Sequence, residues 1–85
     1  MAYEVVVKKS AQKSLQKLPK KIQARIVGVI DSLSDNPFPP ASAKLKGREG
    51  YRIRTNDYRI IYTVENEILV VRVLLIGHRK EIYKK

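Results

Sequence analysis

Residues 51–76 read YRIRTNDYRIIYTVENEILVVRVLLI, and this stretch decides the fold. Two short polar breaks, at 55–57 and 65–67, divide it into segments in which apolar side chains alternate with polar ones or run almost without interruption. Alternation with a period of two, broken by Asn and Asp, is typical of antiparallel strands joined by tight turns. The stretch therefore predicts a three-stranded antiparallel meander.

The last segment of this stretch, residues 68–76, is apolar at every position except Arg72. Such a run fits a strand with both faces buried, so we expect it to be central in the sheet, with helices packed on one side. Gly77 is expected to end the strand, and the tail from His78 onward is too polar for a core.

The segment before the meander has helical spacing. Ser10 is the expected N-cap of a first helix, which Pro19 ends. A second helix follows and stops at residues 35–40, which read DNPFPP. Its apolar stripe consists of Ile22, Ile26, Val29, Ile30 and Leu33. The two helices predict a hairpin with a solvated lysine face.

Residues 3–7, YEVVV, are short and β-branched and predict a strand within or beside the sheet. The loop 41–50 carries Lys44, Lys46 and Arg48 beside glycines that permit close approach of another molecule. The predicted order is β-α-α-β-β-β. The fold class is α+β, with a helical hairpin packed on a small antiparallel sheet in a single domain over residues 1–85.

The charge balance is strongly basic, with 18 Lys and Arg against 8 Asp and Glu and a formal net charge of +10. Such a chain attracts polyanions, although a merely soluble basic surface is the alternative reading. The absence of cysteine and of a signal-like N-terminus favours the cytoplasm, and no membrane contact is expected. A core this small also predicts a protein partner that adds stability.

Arginines are the candidate functional residues. Arg52 and Arg54 share one face of a strand, where like charges repel unless an anion lies between them. Arg59 follows after a short turn and joins them if the register permits, while Arg79 and Tyr83 lie in the tail beyond the last strand. The set predicts a basic cleft.

Arginine is a poor proton acceptor, but its planar fork matches phosphate oxygens and the charge that develops during phosphoryl transfer. A tyrosine stacks on bases or transfers a proton, and His78, the single histidine, is a second candidate for proton transfer if it is not structural. One histidine and no cysteine favour neither a zinc site nor any other metal or cofactor.

The chain resembles the RelE/ParE toxin superfamily, and specifically its RelE-type mRNA interferases, over nearly the whole length. The resemblance rests on the lysine-rich helical hairpin, on KLKG at 44–47, on YRIR at 51–54, on DYRIIY at 57–62 and on IGHRKEIY at 76–83. Together these blocks are specific, whereas singly none of them is.

The resemblance implies a RelE-like, microbial RNase-type fold and a toxin of a type II toxin–antitoxin system. It also implies a ribosome-dependent endoribonuclease that cuts mRNA in the ribosomal A site, without metal, by attack of the 2′-hydroxyl on the adjacent phosphate. A cognate antitoxin would hold the toxin in a heteromeric complex. By motif position the resemblance implies catalytic roles for Arg52, Arg54, Arg59, Arg79 and Tyr83. With His78 these residues form the candidate catalytic set, and Lys44, Lys46 and Arg48 of the loop are the candidate RNA-binding residues.

One departure from the family affects the general base. The two strand positions are lysines in the best-known member, but here they are Arg52 and Arg54, so the base is His78, Tyr83 or water. Two rival functions share the same features. The first is a ParE-like, non-enzymatic poison of DNA gyrase on the same fold, and the second is a nucleic-acid-binding module without catalysis.

Overall fold

The computed structural model of the chain describes residues 3–78 and consists of a five-stranded sheet with helices packed on one face. In chain order the elements are β1 (Glu4–Val7), α1 (Lys9–Gln16), α2 (Lys20–Asp35), β2 (Ser42–Lys44), β3 (Tyr51–Thr55), β4 (Tyr58–Glu65) and β5 (Val70–His78). The predicted α+β class is confirmed, as are the break between the helices at Pro19 and the antiparallel meander, which is β3–β4–β5.

The strand order across the sheet is β1-β5-β4-β3-β2. β1 pairs with β5 in parallel, and every other neighbouring pair is antiparallel, so the sheet is mixed. β5 lies inside the sheet, as predicted, although β4 is the middle strand. β2 was not predicted, because three residues inside a loop are too few to show a period of two.

The core lies between the helices and one face of the sheet, here called the helix-covered face. The helices contribute Ala11, Ile26, Ile30 and Leu33, and the sheet contributes Ile53, Ile60, Tyr62, Val71, Val73 and Ile76. Tyr62 is fully buried, and its hydroxyl donates a hydrogen bond to the carbonyl of Pro37 at 2.8 Å. A buried phenol needs such a partner, and this bond ties the end of α2 to the sheet.

The opposite face of the sheet carries Arg52, Arg54, Arg59, Ile61 and Leu75, as the alternation of side chains along β3, β4 and β5 requires. We call it the helix-free face, since neither helix of the described residues packs on it. The predicted apolar stripe of α2 is confirmed, because all five of its residues belong to or pack against the core on the helix-covered face.

A β-bulge interrupts the pairing of β4 with β5. Ile61 is opposite Leu75, but the next residue, Tyr62, is opposite Val73, so Leu74 is an extra residue in β5. The bulge changes which residues of β5 face the helices, and it therefore brings both Val73 and Ile76 into the core. The apolar run thus reflects a change of face rather than a strand buried on both sides, since Leu75 is 37% exposed.

The ends of β5 differ from the prediction. Ile68 and Leu69 belong to the turn before the strand and are 58% and 46% exposed, and Leu69 has a left-handed φ of 55°. The strand also continues past Gly77 to His78. Apolar composition alone cannot separate a strand from an adjoining turn, because the pairing with β4 sets where the ladder begins and ends.

The start of α1 also differs from the prediction. The helix begins at Lys9, with Lys8 as the N-cap residue and no side-chain cap, so Ser10 is not the N-cap. The backbone N–H of Lys8 bonds to the carbonyl of Val73, which fixes the end of β1 and places the helix start directly after it. Sheet pairing therefore overrides the local capping preference of serine. Within residues 3–78 no helix combines the length and the apolar character that crossing a membrane requires.

Candidate active site

The register of the β3–β4 hairpin brings three arginines together on the helix-free face. Arg54 is directly opposite Arg59, and Arg52 is two residues further along β3, opposite Ile61. Directly opposed residues of an antiparallel pair have Cβ atoms about 4.5–5.5 Å apart. The register therefore places Arg59 on the same face as Arg52 and Arg54, as the sequence allowed.

This arrangement opposes stability unless something compensates it. Like charges directly opposite each other destabilise a sheet, and arginine keeps its charge at any ordinary pH. Arg59 is only 5% exposed, whereas Arg54 is exposed. The guanidinium fork matches paired oxygens, so an oxyanion held between Arg54 and Arg59 would offset the repulsion between them.

A small, open pocket lies at this point, at the turn of the β3–β4 hairpin. It is lined by Arg54, Asn56, Asp57, Tyr58 and Arg59, and we call it the arginine pocket. Asn56 has a left-handed φ of 56°, a conformation that asparagine tolerates better than most residues. The turn is therefore tight enough to place its own side chains beside both arginines.

The sequence predicts three of the lining residues, Asn56, Asp57 and Tyr58, only as turn or strand residues. Their position could have marked them as part of the site, because they lie between Arg54 and Arg59, which a tight hairpin brings opposite each other. Polar turn residues are too common in loops for composition alone to mark them as part of a site.

His78 lies on the other face of the sheet. It pairs with Tyr58 at the end of β5, and the two rings meet edge to face with centroids 5.5 Å apart and an interplanar angle of 79°. Arg59 is opposite Gly77, so a phosphate between Arg54 and Arg59 would have the glycine, and not the histidine, as its neighbour on β5. The bulge in β5 decides this, because it sets which face each later residue occupies.

The remaining predicted residues are further away or outside the described part. The loop after β2 places Lys46 and Arg48 at the far end of β3 from the pocket, with exposed side chains, and Lys44 closes β2 opposite Tyr51. The four residue steps of β3 span about 13 Å. Arg79 and Tyr83 lie outside the described residues.

The other titratable features of the described residues are structural. Burial raises the pKa of Tyr62, whose hydroxyl already donates to Pro37, so this phenol has no access to a substrate. Glu65 and Arg72 form an exposed ion pair at 2.6 Å on the helix-free face, at the end of β4 remote from the pocket. Across residues 3–78 no three His, Cys, Asp or Glu side chains gather as metal ligands would.

Comparison with known proteins shows which family the chain resembles. The family model described as the ParE toxin of a type II toxin–antitoxin system, parDE, matches residues 5–83. A RelE-like toxin protein of Escherichia coli is 37% identical over 83 residues, which cover 94% of this chain and 86% of that protein.

Solved structures agree with these matches. A chain of the toxin–antitoxin complex RelBE2 from Mycobacterium tuberculosis matches with a TM-score of 0.82 at 28% identity, covering 93% of this chain and 100% of that chain. A chain of the archaeal RelE–RelB complex from Pyrococcus horikoshii OT3 matches with a TM-score of 0.80 at 32% identity, covering 93% and 97%.

The fold defines a small, basic α+β protein with three arginines gathered on the helix-free face of its sheet. The chain belongs to the RelE/ParE family of toxins from type II toxin–antitoxin systems. The family resemblance that the sequence predicts is thereby confirmed.

Proposed function

We propose that this toxin is an mRNA endoribonuclease that acts on the ribosome and inhibits translation. The observation that carries the proposal is the direct opposition of Arg54 and Arg59, with Arg52 on the same face. Two opposed guanidinium groups suit the negative charge that grows on a phosphate during its cleavage. The proposal is supported by the names of the relatives, among them a RelE-like toxin protein of Escherichia coli, because the resemblance to RelE-type toxins implies RNA cleavage.

In the proposed reaction the 2′-hydroxyl of the RNA attacks the adjacent phosphate, without a metal ion or cofactor. Arg54 and Arg59 bind the non-bridging oxygens, whose charge grows in the transition state, and Arg52 extends the same contact along the strand. Arg79 and Tyr83 are proposed to complete the site from the tail. His78 enters the proposal only as a residue that holds Tyr58 in place, since the two rings are in contact.

The loop after β2 is proposed as a second RNA contact. Lys44, Lys46 and Arg48 are exposed about 13 Å along β3 from the pocket, a distance of roughly two nucleotides of extended RNA. Their role would be to hold the RNA backbone, so they should affect affinity and its salt dependence rather than the cleavage step.

The proposed partner in the absence of RNA is a cognate antitoxin protein in a heteromeric complex. The matched chains from Mycobacterium tuberculosis and Pyrococcus horikoshii come from toxin–antitoxin complexes. A net charge of +10 favours an acidic partner segment, and Leu75 and Val6, which are 37% and 38% exposed, offer apolar contact elsewhere on the sheet. We place the protein in the cytoplasm, as one domain over residues 1–85.

The test is primer extension on a reporter mRNA in a reconstituted translation reaction, with and without ribosomes, with excess EDTA in the ribosome-free arm. Cuts at A-site codons only when ribosomes are present are the expected result. Cuts without ribosomes would identify a free RNase, and the absence of cuts by folded protein would contradict the proposal.

A second function is favoured by one observation, which is that the matching family model describes ParE toxins. On this alternative the chain would poison DNA gyrase without being an enzyme, and the arginine pocket would hold an acidic side chain or a DNA phosphate. Gyrase supercoiling assays with the same preparation distinguish the two functions, because only the alternative predicts inhibition of supercoiling without any cut RNA.

A further inference from the structure

The proposed cleavage requires a group that accepts the proton of the attacking 2′-hydroxyl. Arg54 and Arg59 are unsuitable for this role, since a guanidinium stays protonated. His78 lies on the helix-covered side of the sheet, paired with Tyr58. A general base has to lie within hydrogen-bond reach of the hydroxyl that it deprotonates, so among the described residues the candidates are those that line the pocket.

Within residues 3–78, Asp57 is the lining residue that carries a carboxylate. The other lining residues are Arg54, Arg59, Asn56 and Tyr58, and guanidinium, amide and phenol groups are all poor proton acceptors. The ring of Tyr58 also contacts His78 on the helix-covered side. The Asp57 side chain is exposed, so an RNA strand can reach it.

The hairpin holds Asp57 in a defined place. Thr55 and Tyr58 are the last paired residues of β3 and β4, so Asn56 and Asp57 form a two-residue turn. Arg54 and Arg59 are the next pair along the same ladder, directly behind the turn. A phosphate bound by these arginines would therefore lie next to the turn that carries Asp57.

We propose that Asp57 is the general base of the cleavage reaction, an inference that rests on the proposed function. Its carboxylate takes the proton of the 2′-hydroxyl while the O2′–P bond forms and the P–O5′ bond breaks. The leaving 5′-oxygen takes a proton from water, and protonated Asp57 returns its proton to the solvent. The products are a 2′,3′-cyclic phosphate and a free 5′-hydroxyl, and no other reactant is required.

Neutralising Asp57 should affect RNA binding and RNA cleavage in opposite directions. A carboxylate beside a phosphate repels it, so Asp57→Asn should bind RNA as tightly as the wild type or up to about tenfold more tightly. Loss of a general base should nevertheless slow cleavage by about 10²- to 10⁴-fold. A residue with only a structural role would not improve binding while removing the reaction.

The experiment measures two quantities for each protein: the single-turnover cleavage rate on ribosome-bound reporter mRNA, and the Kd for the same RNA with a 2′-deoxy nucleotide at the cleavage position. Asn occupies turns as readily as Asp, so Asp57→Asn should keep the fold, which thermal melting checks. Asp57→Glu keeps a carboxylate and should recover at least a tenth of the wild-type rate.

Glu67→Gln is the matched control. Glu67 is an exposed carboxylate in the turn between β4 and β5, at the opposite end of the sheet, and its neutralisation changes the net charge by the same amount. Its cleavage rate should stay within about threefold of the wild type, so that any larger loss in Asp57→Asn is due to position and not to charge.

A loss of at least a hundredfold in Asp57→Asn with undiminished RNA binding, together with recovery in Asp57→Glu, supports the assignment. A rate within threefold of the wild type overturns it, as does a parallel loss of binding. If Asp57→Asn melts early, an Asp57→Glu rate below a hundredth of the wild type would overturn it instead. If the wild type binds RNA but cuts nothing, the proposed function itself is overturned. If the wild type cuts and Asp57→Asn cuts equally well, only the role of Asp57 is overturned.

Discussion

The two faces of the sheet are stabilised in different ways. On the helix-covered face, Leu33 and Ile26 of α2 pack against Tyr62, and all three are 0% exposed. On the helix-free face, Arg54 and Arg59 oppose each other at a position where an apolar or oppositely charged pair would be more stable. The first face follows the rules of burial, whereas the second carries a pair of like charges that those rules do not explain.

This difference implies that stability and activity are separable. Substitutions on the helix-covered face should reduce the free energy of unfolding and leave the activity of each folded molecule intact. Substitutions in the arginine pocket should do the reverse. An arginine on the helix-covered face would lower the stability of the fold without adding a binding group, because the surroundings of a side chain decide its effect.

The largest effect is expected for Leu33→Ala, which should lower the free energy of unfolding by about 2–5 kcal/mol. Leu33 is fully buried between α2 and the sheet, so truncation leaves a cavity. Urea denaturation followed by circular dichroism measures the change. The cleavage rate per folded molecule should be that of the wild type, and a rate loss larger than the unfolded fraction would contradict the separation of the two faces.

Arg54→Ala should reduce cleavage by about 10²- to 10³-fold, the usual effect of removing one donor to a developing negative charge. Its free energy of unfolding should be unchanged or raised by up to about 1 kcal/mol, because the repulsion with Arg59 is removed. Arg25→Ala is the control, since Arg25 is exposed on α2 and carries the same charge. Equal rate losses in both variants would show that only net charge matters.

Gly50→Ala should lower the free energy of unfolding by about 1–3 kcal/mol. Gly50 has a φ of +129°, and a Cβ there would lie 3.1 Å from the carbonyl oxygen of Tyr62 and 3.2 Å from a methyl group of Leu45. Gly47→Ala is an informative comparison, because Gly47 also has a positive φ but has open space around it. Thermal melting should rank Gly50→Ala as the more destabilising change.

The smallest effect is expected for Tyr62→Phe, which removes the hydrogen bond to Pro37 and should cost about 1 kcal/mol at neutral pH. Burial raises the pKa of Tyr62, so the folded protein keeps the phenol protonated at a pH where the unfolded chain, with the ordinary value of about 10, has lost the proton. The wild type should therefore lose stability as the pH rises above about 10. Denaturation curves at pH 7 and above pH 10 should show this loss reduced in Tyr62→Phe, with cleavage at pH 7 unaffected.

Much of the fold follows from periodicity. The alternation in residues 51–54 and 58–64 predicts β3 and β4, and the apolar stripe at 22–33 predicts α2, because burial of one face selects a repeat of two or of about 3.6 residues. β2 and the true start of α1 were missed. Both depend on backbone pairing with distant residues, Ile53 for β2 and Val73 for α1, and such pairing leaves no local pattern.

The candidate site divides in the same way. Alternation alone places Arg52 and Arg54 on one face, but only the register of the hairpin decides that Arg59 is opposite Arg54 and that Asp57 lines the same pocket. A turn one residue longer or shorter would move Arg59 to the other face. The sequence shows that a turn exists there, and the tertiary structure sets its length and twist.

The sequence by itself determined the α+β class, the meander, the strongly basic charge and the arginines that share a face, because each follows from side-chain period or from counting charges. Only the tertiary structure decided which face His78 occupies. Strict alternation from Val71 and Val73 would direct His78 toward the arginines, but the bulge at Leu74 reverses the alternation and directs it toward Tyr58 and the helices. One unpaired residue can do this because side chains in a strand have only two directions, and each extra residue exchanges them.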